Sequence, residues 1–344
     1  MPYALEQDID GIIEHVRPAL TELRGQRLFL TGGTGFFGRW LLHTLTRASD
    51  QLKLNARVHV LTRDPENFQK LSPELAAHPS VHLERGDVRS FPFPKGNFSH
   101  IIHGATEASV TLNTENPKLM YDTIIEGTKR VLEFSESCHA SKILLISSGA
   151  VYGTQPSSII HMPEDEEAVQ KPLQIPSAYA EGKREAERLW NRAGSKATRT
   201  TARCFAFVGP YLPLTTHFAI GNFIHDVVRG GPIRIKGDGT PFRSYLYVAD
   251  LVEWLLTILS RGKNGRAYNV GSENGLTISE LAHAVASACT PSPAIEIGKK
   301  PVPGSLPERY VPSTARAQQE LGLIERTSLD TAIRSTISWY SSSL

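Results

Sequence analysis

The strongest constraint on the fold is a short apolar strand that runs directly into a glycine-rich turn and then into an apolar helix, in the segment LFLTGGTGFFGRWL. Glycine suits positions 32, 35 and 38 because the backbone must turn tightly, approach a pyrophosphate without an intervening side chain, and bring the helix close to the strand. The unpaired amides at the start of such a helix face the phosphates. The segment predicts a dinucleotide cradle made by Gly32, Thr34, Gly35, Phe36, Phe37 and Gly38.

Further strand-like segments follow this turn at regular intervals. They read ARVHVLT, SVHLERGDV, HIIHGAT, KILLISS and TTARCFAFVG, and each is separated from the next by a stretch that can be helical. Strands that alternate with helices over this length predict an α/β fold, in which a doubly wound parallel sheet is covered by helices on both faces.

The chain divides into three parts by pattern. Residues 1–24 space their apolar side chains as on one face of a helix, and we expect an accessory helix there. Residues 25–210 hold the strands listed above and form the predicted dinucleotide-binding domain. Residues 211–344, with short strands at PIRIKG and YNVG, are expected to form mainly a smaller mixed α/β lobe, and the pattern leaves open that some of its segments return to the first domain.

Composition excludes several classes of protein. A net charge of +2 over 344 residues gives no general attraction to nucleic acid or to an anionic membrane. The N-terminus lacks the basic residues followed by an apolar run that mark a signal peptide. No apolar run reaches the roughly 18 residues that a membrane span requires. We therefore expect a cytoplasmic protein. Cys138, Cys204 and Cys289 are scattered and predict reduced thiols, and no residue cluster has metal-site spacing.

The ends of three strands supply candidate contacts for the rest of a dinucleotide. The second strand ends in Thr62 and Arg63. An arginine at this place can bind the 2′-phosphate of NADP, so NADP is favoured over NAD. After the third strand, Asp87 and the adjoining Val88 are placed to meet the adenine ring. After the fourth strand, small residues would let the cofactor lie against the backbone, and these are Gly104, Ala105 and Thr106.

A proton-transfer set lies further along the chain. Tyr179 and Lys183 are four residues apart and share one face of a predicted helix. An ammonium near a phenol stabilises the phenolate and lowers the tyrosine pKa, which allows acid or base chemistry near neutral pH. Ser148 ends a predicted strand and can hydrogen-bond the same substrate oxygen. These groups suit hydride transfer between a nicotinamide and an alcohol or ketone.

Taken in order, the motifs TGGTGFFG, GDV, HGAT, SSGAVYG, YAEGK, FAFVGP, RSYLYVAD and YNVGS resemble those of the extended short-chain dehydrogenase/reductases that modify nucleotide sugars. The resemblance covers about residues 27–325 and implies a Rossmann-type domain, a C-terminal substrate lobe and catalytic roles for Ser148, Tyr179 and Lys183. It also implies a nucleotide-sugar substrate and a homodimer that pairs helices near 117–135 and 178–193. The substrate contacts it implies are Ser148, Phe207, Asn222, Arg243 and Arg309.

The residues after Ser148 bear on which reaction is catalysed. In dehydratases of this family an Asp-Glu pair follows the catalytic serine or threonine, and decarboxylases tend to carry a glutamate there, whereas this chain has Gly149 and Ala150. A 4-keto sugar-nucleotide reductase is favoured by the Thr62-Arg63 ending, and a 4-epimerase with retained NAD is the alternative. A non-catalytic dinucleotide-binding protein is disfavoured because the tyrosine and the lysine are both present.

Overall fold

The computed structural model of this chain describes residues 5–106, 110–166, 177–194, 196–216 and 218–342, and for 110–112 the backbone alone. Its centre is a parallel sheet of seven strands. In the order in which they lie side by side, these are β11 (Arg266–Val270), β6 (Thr198–Cys204), β5 (Lys142–Ser148), β4 (His100–His103), β1 (Arg27–Thr31), β2 (Arg57–Thr62) and β3 (Val81–Arg85), with strands numbered along the chain.

The predicted Rossmann-type α/β fold is confirmed. The strands run outward in both directions from β1, to β2 and β3 on one side and to β4, β5 and β6 on the other. A sheet whose strand order reverses in this way opens a crevice at the carboxyl ends of the two central strands. Here those ends are Thr31 and His103, and the crevice therefore lies between β1 and β4.

Both faces of the sheet are buried, and this explains the continuous apolar character of the strands. Along β1, Leu28 and Leu30 belong to one hydrophobic core, while Phe29 belongs to a second core on the opposite face. The helices that cover the sheet and build the rest of the chain are α1 (Leu5–His15), α2 (Arg17–Thr21), α3 (Phe36–Leu52), α4 (Pro65–Leu71), α5 (Pro73–Ala77), α6 (Val110–Glu115), α7 (Pro117–Ser137), α8 (Ala178–Arg192), α9 (Ala219–Val228), α10 (Val248–Arg261), α11 (Ile278–Ser287), α12 (Ala315–Leu321) and α13 (Leu329–Ser342), together with a 3₁₀ turn at Gly149–Tyr152.

The N-terminal segment forms two helices, α1 and α2, where the sequence analysis expected one over residues 1–24. A proline, Pro18, stands in the first turn of α2, a position that suits the start of a helix rather than its interior. Ile9, Ile12 and Ile13 are buried, and α1 packs against α3 and α10. Residues 1–4 of the predicted helix lie outside the described residues. The segment is therefore an added layer on one face of the main domain.

The C-terminal part of the chain contributes three small sheets. They are built from β7 (Phe207–Val208) with β10 (Leu246–Tyr247), from β9 (Phe242–Arg243) with β12 (Leu276–Thr277) and β14 (Arg309–Tyr310), and from β8 (Ile233–Ile235) with β13 (Ile295–Ile297). The domain boundary at residue 210 stays a prediction.

One strand and one helix from residues 211–344 return to the main domain. The YNVG strand, expected in the smaller lobe, is β11 and pairs in parallel with β6 at the edge of the main sheet. The preceding helix α10, also assigned to the lobe, packs on β5 and β6. The physical reason is that β11 is parallel to β6, and parallel neighbours need a crossover connection that packs on the face of the sheet. Helix α10 is part of this connection and is buried on nearly every side.

Within the described ranges, none of the helices combines the length and the apolar character that crossing a bilayer requires.

Candidate active site

The floor of the crevice is formed where the glycine turn after β1 meets the end of β4. Gly32 has a φ of +77°, and a Cβ at this position would lie 2.7 Å from the carbonyl carbon of Gly104. The hydroxyl of Thr31 accepts the amide protons of Gly104 (3.1 Å) and Ala105 (3.0 Å). The two loops are therefore held in contact at backbone distance, and glycine is required at position 32 for both its conformation and its neighbours.

The other two glycines of the cradle are needed for different reasons. A Cβ on Gly38 would lie 2.4 Å from the carbonyl oxygen of Gly32, so this glycine lets α3 pack against the turn. At Gly35 a Cβ would meet only the same oxygen, at an ordinary 3.6 Å, and the φ of −84° suits any residue. Gly35 also caps the N-terminus of α3. No protein atom therefore requires glycine at position 35. The space beside it is open, and its place at the N-terminus of α3 suits a bound phosphate.

The aromatic residues of the cradle connect it to the smaller lobe. The rings of Phe36 and Phe37 lie 5.5 Å apart, and Phe37 makes an edge contact with Phe207 at 5.0 Å. Thr34 lies beside them and its carbonyl accepts a hydrogen bond from Arg39. Phe207 is buried. The structure thus brings Phe207 against the cradle, whereas the family resemblance assigned it to the substrate.

The predicted adenosine end of the site contains an arginine that the sequence analysis missed. The Arg89 guanidinium binds both carboxylate oxygens of Asp87, at 2.9 and 2.8 Å, and this contact lowers the pKa of Asp87 to about 2. Arg63 is exposed nearby, and its charge also lowers the pKa of Asp87. The Val88 side chain is turned away from this edge and packs near Gly127 of α7. The signal for Arg89 was its position two residues after Asp87.

The three residues of the proton-transfer set lie together at the carboxyl end of β5. Ser148 is the last residue of β5 and is buried, and its hydroxyl accepts the amide proton of Ala150 at 3.1 Å. Tyr179 and Lys183 lie on the first turns of α8, which Ser177 caps by accepting the amide proton of Ala180. The Ser148 hydroxyl is near enough to the Tyr179 phenol to lower the pKa of the phenol.

Lys183 connects this set to the cofactor side of the crevice. Its buried ammonium donates to the carbonyl of Ile146 on β5 (2.9 Å) and to the hydroxyl of Thr106 after β4 (3.0 Å). The Nζ atom is 5.8 Å from the centre of the Tyr179 ring. The structure therefore brings Thr106, Ser148, Tyr179 and Lys183 into one group.

The pKa of Tyr179 differs from the expectation drawn from sequence. Burial raises it to about 12, and the contact with Ser148 opposes that rise without overcoming it. The expected lowering by the ammonium of Lys183 was wrong for this arrangement, because the lysine donates its protons to Thr106 and Ile146 and is itself desolvated. Burial lowers the pKa of Lys183 to about 8.

A buried ion pair between Glu187 and Arg203 holds α8 against the sheet. Glu187 follows Lys183 by one turn of α8, and its carboxylate accepts hydrogen bonds from Arg203 (2.8 Å) and from the hydroxyl of Ser147 (2.5 Å). The charged side chains of Glu187 and Arg203 are 7% and 9% exposed. Since Ser147 precedes Ser148, this pair ties α8 to the strand that carries the catalytic serine. The spacing of Tyr179, Lys183 and Glu187 was a signal for it.

Two of the candidate substrate residues, Arg243 and Arg309, lie on the small sheet of the C-terminal part, and none of the five candidates lines the cleft beside that sheet. The Arg309 guanidinium stacks 4.0 Å from the centre of the Phe242 ring, and Arg243 donates to the Phe242 carbonyl at 2.8 Å and to Glu308 at 3.5 Å. Asn222 is half-buried in α9. A cleft of about 790 Å³ adjoins this sheet and is lined in part by Asp238, Thr240, Phe242, Thr277, Lys299 and Pro307.

Tyr310 is a residue of the site that sequence reasoning missed. It lies opposite Arg243 in the pairing of β14 with β9, and a Cβ built on Gly149 would lie 2.7 Å from its hydroxyl, which places the phenol next to Ser148. No motif marked it, because it comes from the far end of the chain. No group of three or more His, Cys, Asp or Glu side chains suited to a metal ion occurs among the residues whose structure is described.

The fold is of the Rossmann type, and comparison with known proteins gives the family of the chain. The chain matches the NAD-dependent epimerase/dehydratase family over residues 28–271 and belongs to that family. It is 30% identical over 300 residues to UDP-glucuronic acid decarboxylase 3 of Arabidopsis thaliana, covering 86% of this chain and 83% of the plant protein. It is 26% identical over 323 residues to dTDP-glucose 4,6-dehydratase of Streptomyces griseus, covering 91% and 93% of the two chains.

Solved structures show the same fold. A UDP-glucose 4-epimerase of Thermotoga maritima superposes with a TM-score of 0.74 at 20% identity, over 92% of this chain and 99% of the epimerase. A UDP-glucuronic acid 4-epimerase of Bacillus cereus gives a TM-score of 0.77 at 20% identity, over 92% and 100%. At this identity the likeness concerns the fold alone. The family consists of NAD-dependent enzymes that modify nucleotide sugars, and the sequence-based recognition of it is confirmed.

We expect Lys183→Met to stabilise the protein while removing most of any catalytic turnover. Below pH 8 the buried lysine is charged in both folded and unfolded chains, so the full cost of burying the charge is present. Between about 8 and 10.5 only the unfolded chain holds the proton, and this cost fades as pH rises. The variant should therefore gain on the order of 1–3 kcal/mol at pH 7 and little above pH 10.5, measured by urea unfolding.

The matched control is Lys196→Met, which removes an exposed ammonium and should leave the free energy of unfolding unchanged. A Lys183→Met protein that is less stable than the natural chain at pH 7 would show that the ammonium is favourably paired in the folded state.

Proposed function

We propose that this protein is a nicotinamide-dependent oxidoreductase that acts at C4 of a nucleotide-activated sugar, and specifically that it reduces a 4-keto sugar nucleotide with NADPH. The observation that carries the proposal is the position of Lys183. Its ammonium joins Thr106, on the cofactor side of the crevice, to the strand that ends in Ser148. The proton-transfer set is thereby held against the place where a nicotinamide would lie beside the cradle.

The residues of the chain would divide the work as follows. Bound NADPH supplies a hydride to the carbonyl carbon of the substrate. Tyr179 gives its phenolic proton to the carbonyl oxygen, so that the ketone becomes an alcohol. Ser148 stabilises the phenolate that remains on Tyr179, Lys183 holds this set against the cofactor side of the crevice, and the phenolate later recovers a proton from solvent.

The residues after Ser148 argue against elimination or decarboxylation as the main reaction, although relatives carry the names of both. Position 149 is glycine and position 150 alanine, so neither supplies the carboxylate associated with those activities. A Cβ at position 149 would lie 2.7 Å from the Tyr310 hydroxyl and 2.8 Å from the Phe205 ring. A longer acidic side chain would meet the same obstacle, which supports a reaction that needs only hydride and proton transfer.

The end of β2 supports NADP as the cofactor. The Asp64 carboxylate accepts the Asn67 amide proton and caps α4, so it is committed to the helix rather than to a ribose hydroxyl. Arg63 is exposed beside it, and Arg89 neutralises Asp87. An arginine at this strand end suits a 2′-phosphate. NADPH also exchanges in each cycle, as a reductase requires, whereas a 4-epimerase retains NAD and is the competing proposal.

The proposal is tested by incubating the purified protein with a panel of UDP- and dTDP-linked sugars and 4-keto sugars, with and without NADPH or NADH. We expect NADPH loss in proportion to a 4-keto substrate and no isomer formation without reductant. Interconversion of 4-epimers without added reductant would instead establish the epimerase. Release of carbon dioxide or of water without cofactor consumption would overturn both.

The cofactor part of this experiment uses Arg63→Ala, which should weaken NADPH binding about tenfold and NADH binding little. Arg57→Ala is its control, because Arg57 is exposed at the start of β2, whereas Arg63 follows the end of that strand. Equal losses for both cofactors, or tighter binding of NADH by the natural protein, would contradict the assignment of NADP.

We also propose a homodimer in the cytoplasm. The supporting observations are that α7 and α8 pack side by side and that Leu119 and Tyr121 of α7 are 37% and 36% exposed. Exposed apolar side chains on this pair of helices suit a contact with the same two helices of a second subunit, as the family resemblance implies.

A further inference from the structure

A buried histidine lies directly behind the crevice and belongs neither to the cradle nor to the proton-transfer set. His103 is the last residue of β4, is 4% exposed, and has its ring nearly parallel to that of Trp190, with the ring centres 6.1 Å apart. Its Nδ1 atom lies 2.8 Å from the hydroxyl oxygen of Thr31, and its Nε2 atom lies 3.3 Å from that of Thr128. The imidazole therefore links the cradle strand β1 to helix α7.

The Thr31 hydroxyl fixes the role of Nδ1. A hydroxyl has one proton and two lone pairs. The Thr31 oxygen accepts the amide protons of Gly104 at 3.1 Å and Ala105 at 3.0 Å, so both lone pairs are used. The Gly104 amide proton is shared with the Thr31 carbonyl at 3.1 Å. The hydroxyl proton is left for His103, and Nδ1 must accept it.

The Thr128 hydroxyl fixes the role of Nε2. Thr128 donates its proton to the carbonyl of Ile124 at 2.7 Å, and a carbonyl can only accept. The Thr128 oxygen then offers a lone pair to His103, so Nε2 must carry a proton. Both sides of the ring thus require one form, the neutral imidazole protonated on Nε2. Burial agrees with this form, since it lowers the pKa of His103 to about 3, and the charge of Lys183 lowers it further.

The loop 104–106 transmits this arrangement to the proton-transfer set. Thr106 donates its hydroxyl proton to the carbonyl of Ala105 at 2.8 Å and accepts a proton from the Lys183 ammonium at 3.0 Å. The loop is held at its start by the Thr31 hydroxyl. A continuous series of hydrogen bonds therefore runs from α7 through His103 and the cradle strand to Lys183.

We propose that His103 is a positioning residue: as a neutral imidazole with its proton on Nε2, it accepts the Thr31 hydroxyl proton and so turns the Thr31 lone pairs toward the loop 104–106. This loop is the surface against which a nicotinamide cofactor would lie. The inference rests on the proposed function only for its effect on turnover. The protonation of the ring and its effect on cofactor binding do not depend on which substrate is reduced.

The first experiment reads the tautomer in the natural, full-length protein. Long-range proton–nitrogen correlation spectra of protein carrying nitrogen-labelled histidine report which ring nitrogen holds the proton. We expect His103 to be protonated on Nε2 alone, without change between about pH 5 and 8. Its signals are identified by their loss in His103→Asn or in His103→Gln. A proton on Nδ1, or an imidazolium in this pH range, would overturn the proposal.

The second experiment separates the two nitrogens of the ring by substitution. Asparagine places its carboxamide oxygen close to the position of Nδ1 and keeps an acceptor for Thr31. Glutamine is one carbon longer and places its amide nitrogen close to the position of Nε2, so it keeps only the donor to Thr128. We expect His103→Gln to weaken the binding of NADPH or NADH about three- to tenfold, measured by fluorescence titration, and His103→Asn to change it less than about twofold.

Both variants lose one hydrogen bond and should melt below the natural protein, so a merely structural role would weaken cofactor binding in both alike. The matched control is His100→Gln, at the other end of β4. His100 is also buried, and its Nδ1 atom lies 2.8 Å from the Ser99 hydroxyl. This control should lower the melting temperature and leave the Kd for the cofactor unchanged.

The outcomes distinguish this inference from the proposed function. Equal losses of cofactor affinity in His103→Asn and His103→Gln, or a loss in His103→Asn alone, would overturn the positioning role. A natural protein with the expected tautomer and the expected difference between the variants, yet inert toward the whole panel of nucleotide sugars, would overturn the proposed function and support the role of His103. A natural protein that binds neither NADPH nor NADH would overturn both.

Discussion

Tyr179→Phe is expected to reduce turnover by about two to four orders of magnitude while cofactor binding is retained. The phenol is the group that exchanges a proton with the substrate oxygen, and phenylalanine keeps the ring without the proton. The amide proton of Tyr179 donates to Asn113 at 3.0 Å, a contact that the substitution leaves in place. Steady-state kinetics with a 4-keto sugar nucleotide and a fluorescence titration with NADPH measure the two quantities.

Tyr268→Phe is the control, since it removes a phenol hydroxyl that bonds Glu320 and lies remote from Ser148. If Tyr179→Phe kept more than about a tenth of the natural kcat, the assignment of Tyr179 as the proton donor would be wrong.

Arg203→Met should have the largest effect on stability, a loss of about 3–5 kcal/mol in the free energy of unfolding. The substitution leaves the Glu187 carboxylate buried without its ionic partner, because the pair is less than a tenth exposed. Arg203 also donates to the hydroxyl of Tyr152 (2.8 Å) and to the carbonyl of Glu164 (3.0 Å), and both acceptors would lose a donor. Urea unfolding measures the loss.

The double variant Arg203→Met with Glu187→Leu should recover much of this stability, since an apolar pair carries no buried charge. Lys129→Met is a surface control: it breaks the exposed pair with Glu126 and should cost less than about 1 kcal/mol. A loss below that value for Arg203→Met would show that solvent reaches Glu187 when the arginine is absent.

Features whose conformation depends on neighbouring residues in the chain were predictable from the sequence. The glycine turn was recognisable because Gly32 needs a left-handed conformation and Gly38 needs a close helix, and both requirements act within a few residues. The YxxxK spacing was recognisable because four residues bring Tyr179 and Lys183 to one face of a helix. The parallel sheet followed from the alternation of apolar strands with amphipathic helices.

Sequence reasoning failed where a residue depends on a partner distant in the chain. Tyr310 lies beside Gly149 only because β14 pairs with β9, which brings a residue from the far end of the chain to the end of β5. The YNVG strand joined the main sheet because its crossover helix α10 is buried on that sheet. The sequence predicted a lowered pKa for Tyr179, whereas burial raises it. Residue spacing carries no information about burial.

The sequence by itself determined the class of fold, the cradle and the identity of the proton-transfer set, since each is written in a short run of residues whose conformation is set by its own chemistry. Tertiary structure alone decided how those groups are tuned: how deeply the Tyr179 phenol is buried, where the protons of Lys183 are donated, and what fills the space above Gly149. The physical reason is that desolvation and hydrogen-bond competition depend on every atom packed around a group, and here those atoms come from distant parts of the chain.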